Sequence, residues 1–212
     1  MKNKLELKNV SKSFKHNDLL SNINQSFLSG NVYGIIGPNG SGKTVLFKLI
    51  SGLMNVSSGE IFFNGTPIKQ SDVLFGVSIE KPQLIEDLTV MENLLFLANI
   101  RNTINKEIIL EYLKQFNLYD ARNKKVKNIS MGMKQKVSLI QSVMENPEII
   151  LFDEVSNSLD YESKDLLYEL VKKEKEAGKI ILYINHNLEE VKQVCDEIYE
   201  IRNKGLLKWE KY

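Results

Sequence analysis

The chain of 212 residues has room for one compact unit with two lobes. Twenty-eight Lys+Arg against 27 Asp+Glu give a formal net charge of +1, which excludes a strongly basic nucleic-acid clamp. With 42% hydrophobic and 26% charged residues the composition is that of a globular protein and excludes disorder. Cys195 is the one cysteine, which excludes an internal disulfide framework and fits a reducing compartment. Met1–Glu6 has no apolar stretch behind its lysines, so no signal peptide is expected. No run approaches the roughly 20 apolar residues of a membrane-spanning helix, so any work at a membrane is expected to pass through another protein.

Along the chain, Leu5, Leu7 and Val10 mark an early strand and Asn22–Leu28 a second. Val32–Ile36 is an apolar strand that runs into a glycine-rich loop. Glu60–Phe63, then Asn64-Gly65, then Thr66–Ile68 is a hairpin signal, because Asn-Gly accepts the positive φ of a tight turn. From Thr89 the pattern turns helical. Thr89–Glu92 is a capping box ahead of Leu94, Leu95 and Leu97. Ile108, Ile109, Tyr112, Leu113 and Phe116 recur at helical spacing. The polar stretch Asp120–Asn128 interrupts, and Ser130 then caps a helix running to about Glu145, stopped by Pro147. The last third alternates: strand Glu148–Phe152, helix Glu162–Ala177 ended by Gly178, strand Lys179–Ile184, a short helix near Leu188–Val194, and a hairpin around Asn203-Lys204-Gly205. Such alternation predicts parallel pairing with right-handed crossovers. The expected architecture is α/β, with a core formed by residues of about 1–81 and 146–212 and a helical insert of about 82–145.

Gly37-Pro38-Asn39-Gly40-Ser41-Gly42-Lys43-Thr44 fits the spacing G-x-x-x-x-G-K-[ST] between an apolar strand and a helical pattern. The glycines let successive N–H groups turn inward around phosphates, and the helix that follows aims its positive end at the same anion. Lys43 is placed to reach the β and γ phosphates, and the Thr44 hydroxyl to ligate Mg²⁺. Downstream, Ile149–Phe152 ends in Asp153 and Glu154, and a buried parallel strand carries such groups to the carboxyl edge of a sheet, where ligands sit. Asp153 is the candidate metal ligand and Glu154 the candidate to polarise an attacking water. His186, just past the strand Lys179–Ile184, is a candidate γ-phosphate contact; its alternative is an ordinary surface or core histidine.

Ile129-Ser130-Met131-Gly132-Met133-Lys134-Gln135 resembles the signature of ATP-binding cassette (ABC) proteins, whose familiar form is LSGGQ; Ser130 and Gly132 stand at its serine and second glycine. Asn157-Ser158-Leu159-Asp160 resembles the D-loop of that family, and the motifs fall in family order over residues of about 4–210. The resemblance implies one ATP-binding domain over residues 1–212, a phosphate-loop NTPase of the ABC ATPase type with a mixed β core, an antiparallel β subdomain and a helical subdomain. It implies ATP and Mg²⁺ as cofactors, adenine stacking on Phe14 (otherwise a plain core phenylalanine), and Lys43, Glu154 and His186 as catalytic groups. Ser130, Met131, Gly132, Met133 and Asp160 would act across a dimer with a second ATP-binding domain, and Thr44, Glu80 and Asp153 would face the metal. Transmembrane permease subunits are the implied partners, at the cytoplasmic face of the membrane, with no nucleic acid.

Three positions depart from the pattern. Met131 and Met133 replace the usual signature residues, and Glu80 in Gly76–Pro82 stands where the family carries a glutamine, with Gln83 three positions later. A third carboxylate there would raise the pKa of its neighbours unless the metal offsets it. The combination resembles bacitracin- and lantibiotic-immunity exporters, which implies export of a peptide antibiotic or other drug-like substrate. Only 85 residues separate Thr44 from Ser130, too few for the coiled coils of chromosome-structure ATPases. The alternative is an ABC-type ATPase that signals to a membrane partner without moving a substrate.

Overall fold

The computed structural model describes residues 2–15, 17–79 and 81–209; Glu80 lies outside the described residues. The chain opens with β1 (Lys4–Phe14), β2 (Asn17–Leu28) and β3 (Asn31–Ile36), followed by α1 (Lys43–Ile50), β4 (Ser58–Phe63), β5 (Thr66–Pro67) and β6 (Phe75–Ile79). Three helices come next: α2 (Val90–Arg101), α3 (Lys106–Gln115) and α4 (Met131–Val143). The last third is β7 (Ile149–Asp153), α5 (Tyr161–Glu176), β8 (Ile180–Ile184), α6 (Leu188–Val194), β9 (Glu197–Arg202) and β10 (Gly205–Lys208). No helix among the described residues is long and apolar enough to cross a membrane.

Two sheets result. One is antiparallel, in the order β2-β1-β4-β5; the other runs β10-β9-β3-β8-β7-β6, parallel throughout except for β10. The parallel strands are covered on both faces, which is why they read as unbroken apolar runs. Ile149, Leu151, Ile180, Leu182 and Ile184 point into a cluster with α1 and the antiparallel sheet. Ile150, Phe152, Ile181 and Tyr183 point the other way, into a cluster shared with α2, α3, α4 and α5. The segment expected as a helical insert therefore joins its apolar side chains to one face of the central sheet.

Both predicted hairpins form on turns with two successive positive φ angles, 51° and 82° at Asn64 and Gly65, 51° and 66° at Asn203 and Lys204. The capping box at Thr89 is complete, with Glu92 N donating to Thr89 Oγ1 and Thr89 N to Glu92 Oε2. Two expectations need correction. The second strand begins at Asn17, not Asn22, because it continues through bulges opposite β1; Asn22 itself has φ 50°, which interrupts the period-two pattern. β6 was not anticipated at all. Its inward positions are Gly76 and Ser78, not apolar residues, because α4 approaches so closely that a Cβ on Gly76 would lie 1.7 Å from the Ser142 carbonyl oxygen. Ser78 Oγ hydrogen-bonds Ser138 Oγ of α4 at 2.8 Å.

Since backbone cannot yield as a flexible side chain can, Gly76→Ala should push α4 off the sheet. We predict a loss of about 2–3 kcal/mol in denaturant unfolding; a midpoint equal to the parent's would contradict this packing.

Candidate nucleotide site

The register of the parallel sheet assembles the site. Ile35 pairs with Ile184, Ile184 with Asp153, and Asp153 with Ile79, so one row crosses β3, β8, β7 and β6 at their carboxyl ends. Beyond that row lie the glycine-rich loop, Asn185-His186, and Glu154. The loop takes φ 148°, 77° and 104° at Gly37, Gly40 and Gly42, conformations open to glycine alone without strain. Helices α2 to α6 each begin with a side-chain cap (Thr89, Asn105, Ser130, Asp160, Asn187), whereas α1 begins at Gly42 with none. Its first-turn N–H groups face the loop, the arrangement that binds anions.

Lys43 is nearly buried, and its Nζ donates to the carbonyl oxygens of Gly37 and Pro38 at 2.8 and 3.1 Å. The Thr44 hydroxyl donates to Asp153 Oδ2 at 2.7 Å, joining loop and acidic strand end. Ser41 Oγ is buried and has no hydrogen-bond partner among the described residues, a donor aimed into the loop that a phosphate oxygen would satisfy. Thr44 and Asp153 are hard oxygen donors suited to Mg²⁺, while no group of three or more His, Cys, Asp or Glu that could hold a metal occurs among the described residues. These residues therefore fit a cation that takes its remaining ligands from phosphate and water.

Glu154 follows with φ 53°, a left-handed conformation that strains a residue bearing a Cβ. The turn aims its carboxylate at the same edge, where Asn157 Nδ2 donates to Oε2 at 3.1 Å and His186 Nδ1 stands 3.8 Å from that oxygen. His186 is largely exposed. Phe14 is 45% exposed at the end of β1, with Lys12 Nζ 5.0 Å from its ring centroid, so it is a surface group and not a core phenylalanine. The cleft beside the loop is lined by Asp18, Leu19, Pro38, Gly40, Ser41 and the β9–β10 turn; Phe14 is not part of that lining.

The signature residues stand apart from this edge. Ser130 Oγ accepts from Met133 N as the cap of α4. Met131 is exposed, Met133 packs against the helical cluster, and a Cβ on Gly132 would lie 3.1 Å from the Ser158 carbonyl oxygen. Among the described residues no hydrogen bond or ion pair ties Ser130–Met133 to Gly37–Thr44. Asp160 caps α5 through Ser163, whose donors hold its carboxyl below the usual carboxylate range. Two groups escaped the sequence reading. Gln83 lines one cleft with Thr44 and Asp153, where its offset from the family position had counted against it. The buried Asn185 had no signal beyond adjacency to His186.

If Glu154 is strained for the sake of aim, removing its Cβ should relax the turn. Glu154→Gly should gain about 1 kcal/mol in unfolding free energy; a variant less stable than the parent would contradict the strain.

The sequence matches the family model described as ABC transporter over residues 20–157. The ABC transporter ATP-binding protein YybJ of Bacillus subtilis (strain 168) is 32% identical over 207 residues, covering 96% of this chain and 94% of that one. The lantibiotic transport ATP-binding protein SrtF of Streptococcus pyogenes is 32% identical over 195 residues, 92% and 85% of the two chains. A solved structure titled as a dimeric post-hydrolysis state of the ATP-binding cassette MJ0796 bound to ADP and Pi superposes with TM-score 0.84 at 26% identity, covering 98% of this chain and 100% of that one. With the phosphate loop, acidic strand end and signature helix laid out as above, the chain belongs to the ABC transporter family, as an ATP-binding subunit with ATPase activity.

Proposed function

We propose that the edge formed by Gly37–Thr44, Asp153, Glu154 and His186 hydrolyses ATP, and that the energy is used by separate transmembrane permease subunits to export a peptide antibiotic, lantibiotic or similar compound. The observation that carries the site assignment is the single cross-sheet row from Ile35 to Ile79, which sets loop, carboxylates and imidazole at one place. The likeness to SrtF supports the substrate class.

In this reading the N–H groups of the loop and of α1, with Ser41 Oγ and Lys43 Nζ, bind the phosphates. Phe14 stacks on adenine, a contact worth about 1–3 kcal/mol. Thr44 and Asp153 would hold Mg²⁺, which neutralises charge on the phosphate oxygens when bound. Glu154 accepts a proton from the attacking water, and His186 orients the γ-phosphate and that water. A second copy supplies the N-terminal end of α4 at Ser130, with Met131 and Gly132, over the first copy's γ-phosphate; Asp160 acts across the same contact. The γ-phosphate is then a ligand shared by both halves, and its hydrolysis lets them part. The subunit acts at the cytoplasmic face of the membrane, held there by its partners.

Glu154→Gln should lower turnover by about 10²–10⁴-fold with ATP affinity kept, and should dimerise under saturating Mg-ATP in light scattering. A variant that turns over at the parent rate, or stays monomeric, contradicts the reading. Lys43→Ala should instead lose nucleotide affinity, and an unchanged Kd for ATP would remove Lys43 from its role.

A further inference from the structure

We infer that Asn185 is a positioning residue for ATP hydrolysis: its buried amide locks the turn that carries His186 to the turn that carries Glu154. The inference rests on the reading of Glu154 and His186 given above, and it concerns a residue that touches neither nucleotide nor water in that reading.

Asn185 is 1% exposed, and every hydrogen-bonding atom of its amide is used. Nδ2 donates to Ser156 Oγ at 2.8 Å and to Glu190 Oε1 at 2.9 Å; Oδ1 accepts from Asn187 N at 2.7 Å. Those partners fix which end is nitrogen, since a backbone N–H can only donate and a carboxylate can only accept. Ser156 lies two residues after Glu154, and Asn185 and Asn187 flank His186. A second link runs along the backbone, Glu154 N donating to Ile184 O at 2.9 Å.

Two features make this more than ordinary packing. The left-handed conformation of Glu154 persists only if its surroundings hold it, and the Ser156–Asn185 bond grips the same turn just past the strained residue. The anchor below is itself costly: Glu190 is a carboxylate only 6% exposed, with its nearest ammonium, Lys164 Nζ, 3.7 Å away. It is held instead by the Tyr183 hydroxyl, by Asn185 and by its place in the first turn of α6, whose cap is Asn187. Burial beside that carboxylate pushes the Tyr183 and Tyr168 hydroxyls up, the latter to about 12, so both stay protonated and keep donating. A fully satisfied polar network of this kind specifies one geometry more sharply than apolar packing would.

The test is steady-state hydrolysis of Mg-ATP alongside ADP affinity by calorimetry, for the parent, Asn185→Ala, Ser156→Ala and the double variant. A displacement of about 1 Å between catalytic groups can cost on the order of 100-fold, so we expect kcat to fall about 10- to 100-fold in Asn185→Ala. ADP affinity should stay within about threefold of the parent, because the loop is untouched. Ser156→Ala, the milder change should Asn185→Ala fail to fold, should lower kcat by itself. The double variant should be no slower than the slower single one, because both remove the Ser156–Asn185 bond that links the two turns. An unchanged kcat in Ser156→Ala or Asn185→Ala, a parallel loss of ADP binding, or multiplicative effects would each overturn the inference. If Glu154→Gln retained the parent rate, the reading of the site would fall, and this inference with it. If Glu154→Gln were inactive while the Asn185 and Ser156 variants were normal, only this inference would fall.

Discussion

Parallel pairing of β3, β8, β7 and β6 in one register is the constraint on which the rest of the molecule depends. Because the strands are buried on both faces, a slip of one residue would turn every inward side chain of a strand to the wrong cluster, so the hydrophobic pattern pins the register. The same register sets Asp153 beside Ile184 and Ile79, and with them the loop, Glu154 and His186. Core packing and site geometry are thus one specification. The Thr44–Asp153 hydrogen bond then ties the helix of the phosphate loop to the acidic strand end across the sheet edge.

Local rules are broken where the chemistry is placed. α1 starts without a side-chain cap, Ser41 Oγ is buried without a partner among the described residues, Glu154 holds a left-handed backbone, and Glu190 is a nearly buried carboxylate. Elsewhere most local signals are obeyed: five helices are capped by a side chain, and the tight turns carry Asn-Gly and Asn-Lys, of which only Lys204 is forced into positive φ. Proteins concentrate such exceptions at functional sites and stabilise them from outside. Here the outside support is the sheet on one side and the Asn185–Ser156–Glu190 network on the other.

Much of this was legible because its signals are local. The phosphate loop, the capping box at Thr89, the cap at Ser130 and the α6 span Leu188–Val194 depend on residues a few positions apart. β6 was hidden because its buried face is Gly76 and Ser78, small residues demanded by the close backbone of α4, which lies far along the chain. The start of β2 was misjudged because bulges break its alternation. Asn185 was passed over because nothing in a lone asparagine announces a partner as distant as Ser156. Gln83 was set aside by counting from a motif, while in the fold it shares a cleft with Thr44 and Asp153.

The start of α4 meets the Ser158 carbonyl of its own chain and makes no polar contact, among the described residues, with its own phosphate loop. The central proposal is that the Ser130 end of another copy completes the site. The direct measurement is disulfide crosslinking between cysteines introduced at the exposed Asn39 and Met131, with Glu154→Gln to arrest hydrolysis. The account predicts a crosslinked dimer with Mg-ATP and none without nucleotide. Failure to crosslink with Mg-ATP and the membrane partners present, or equal crosslinking without nucleotide, would contradict it.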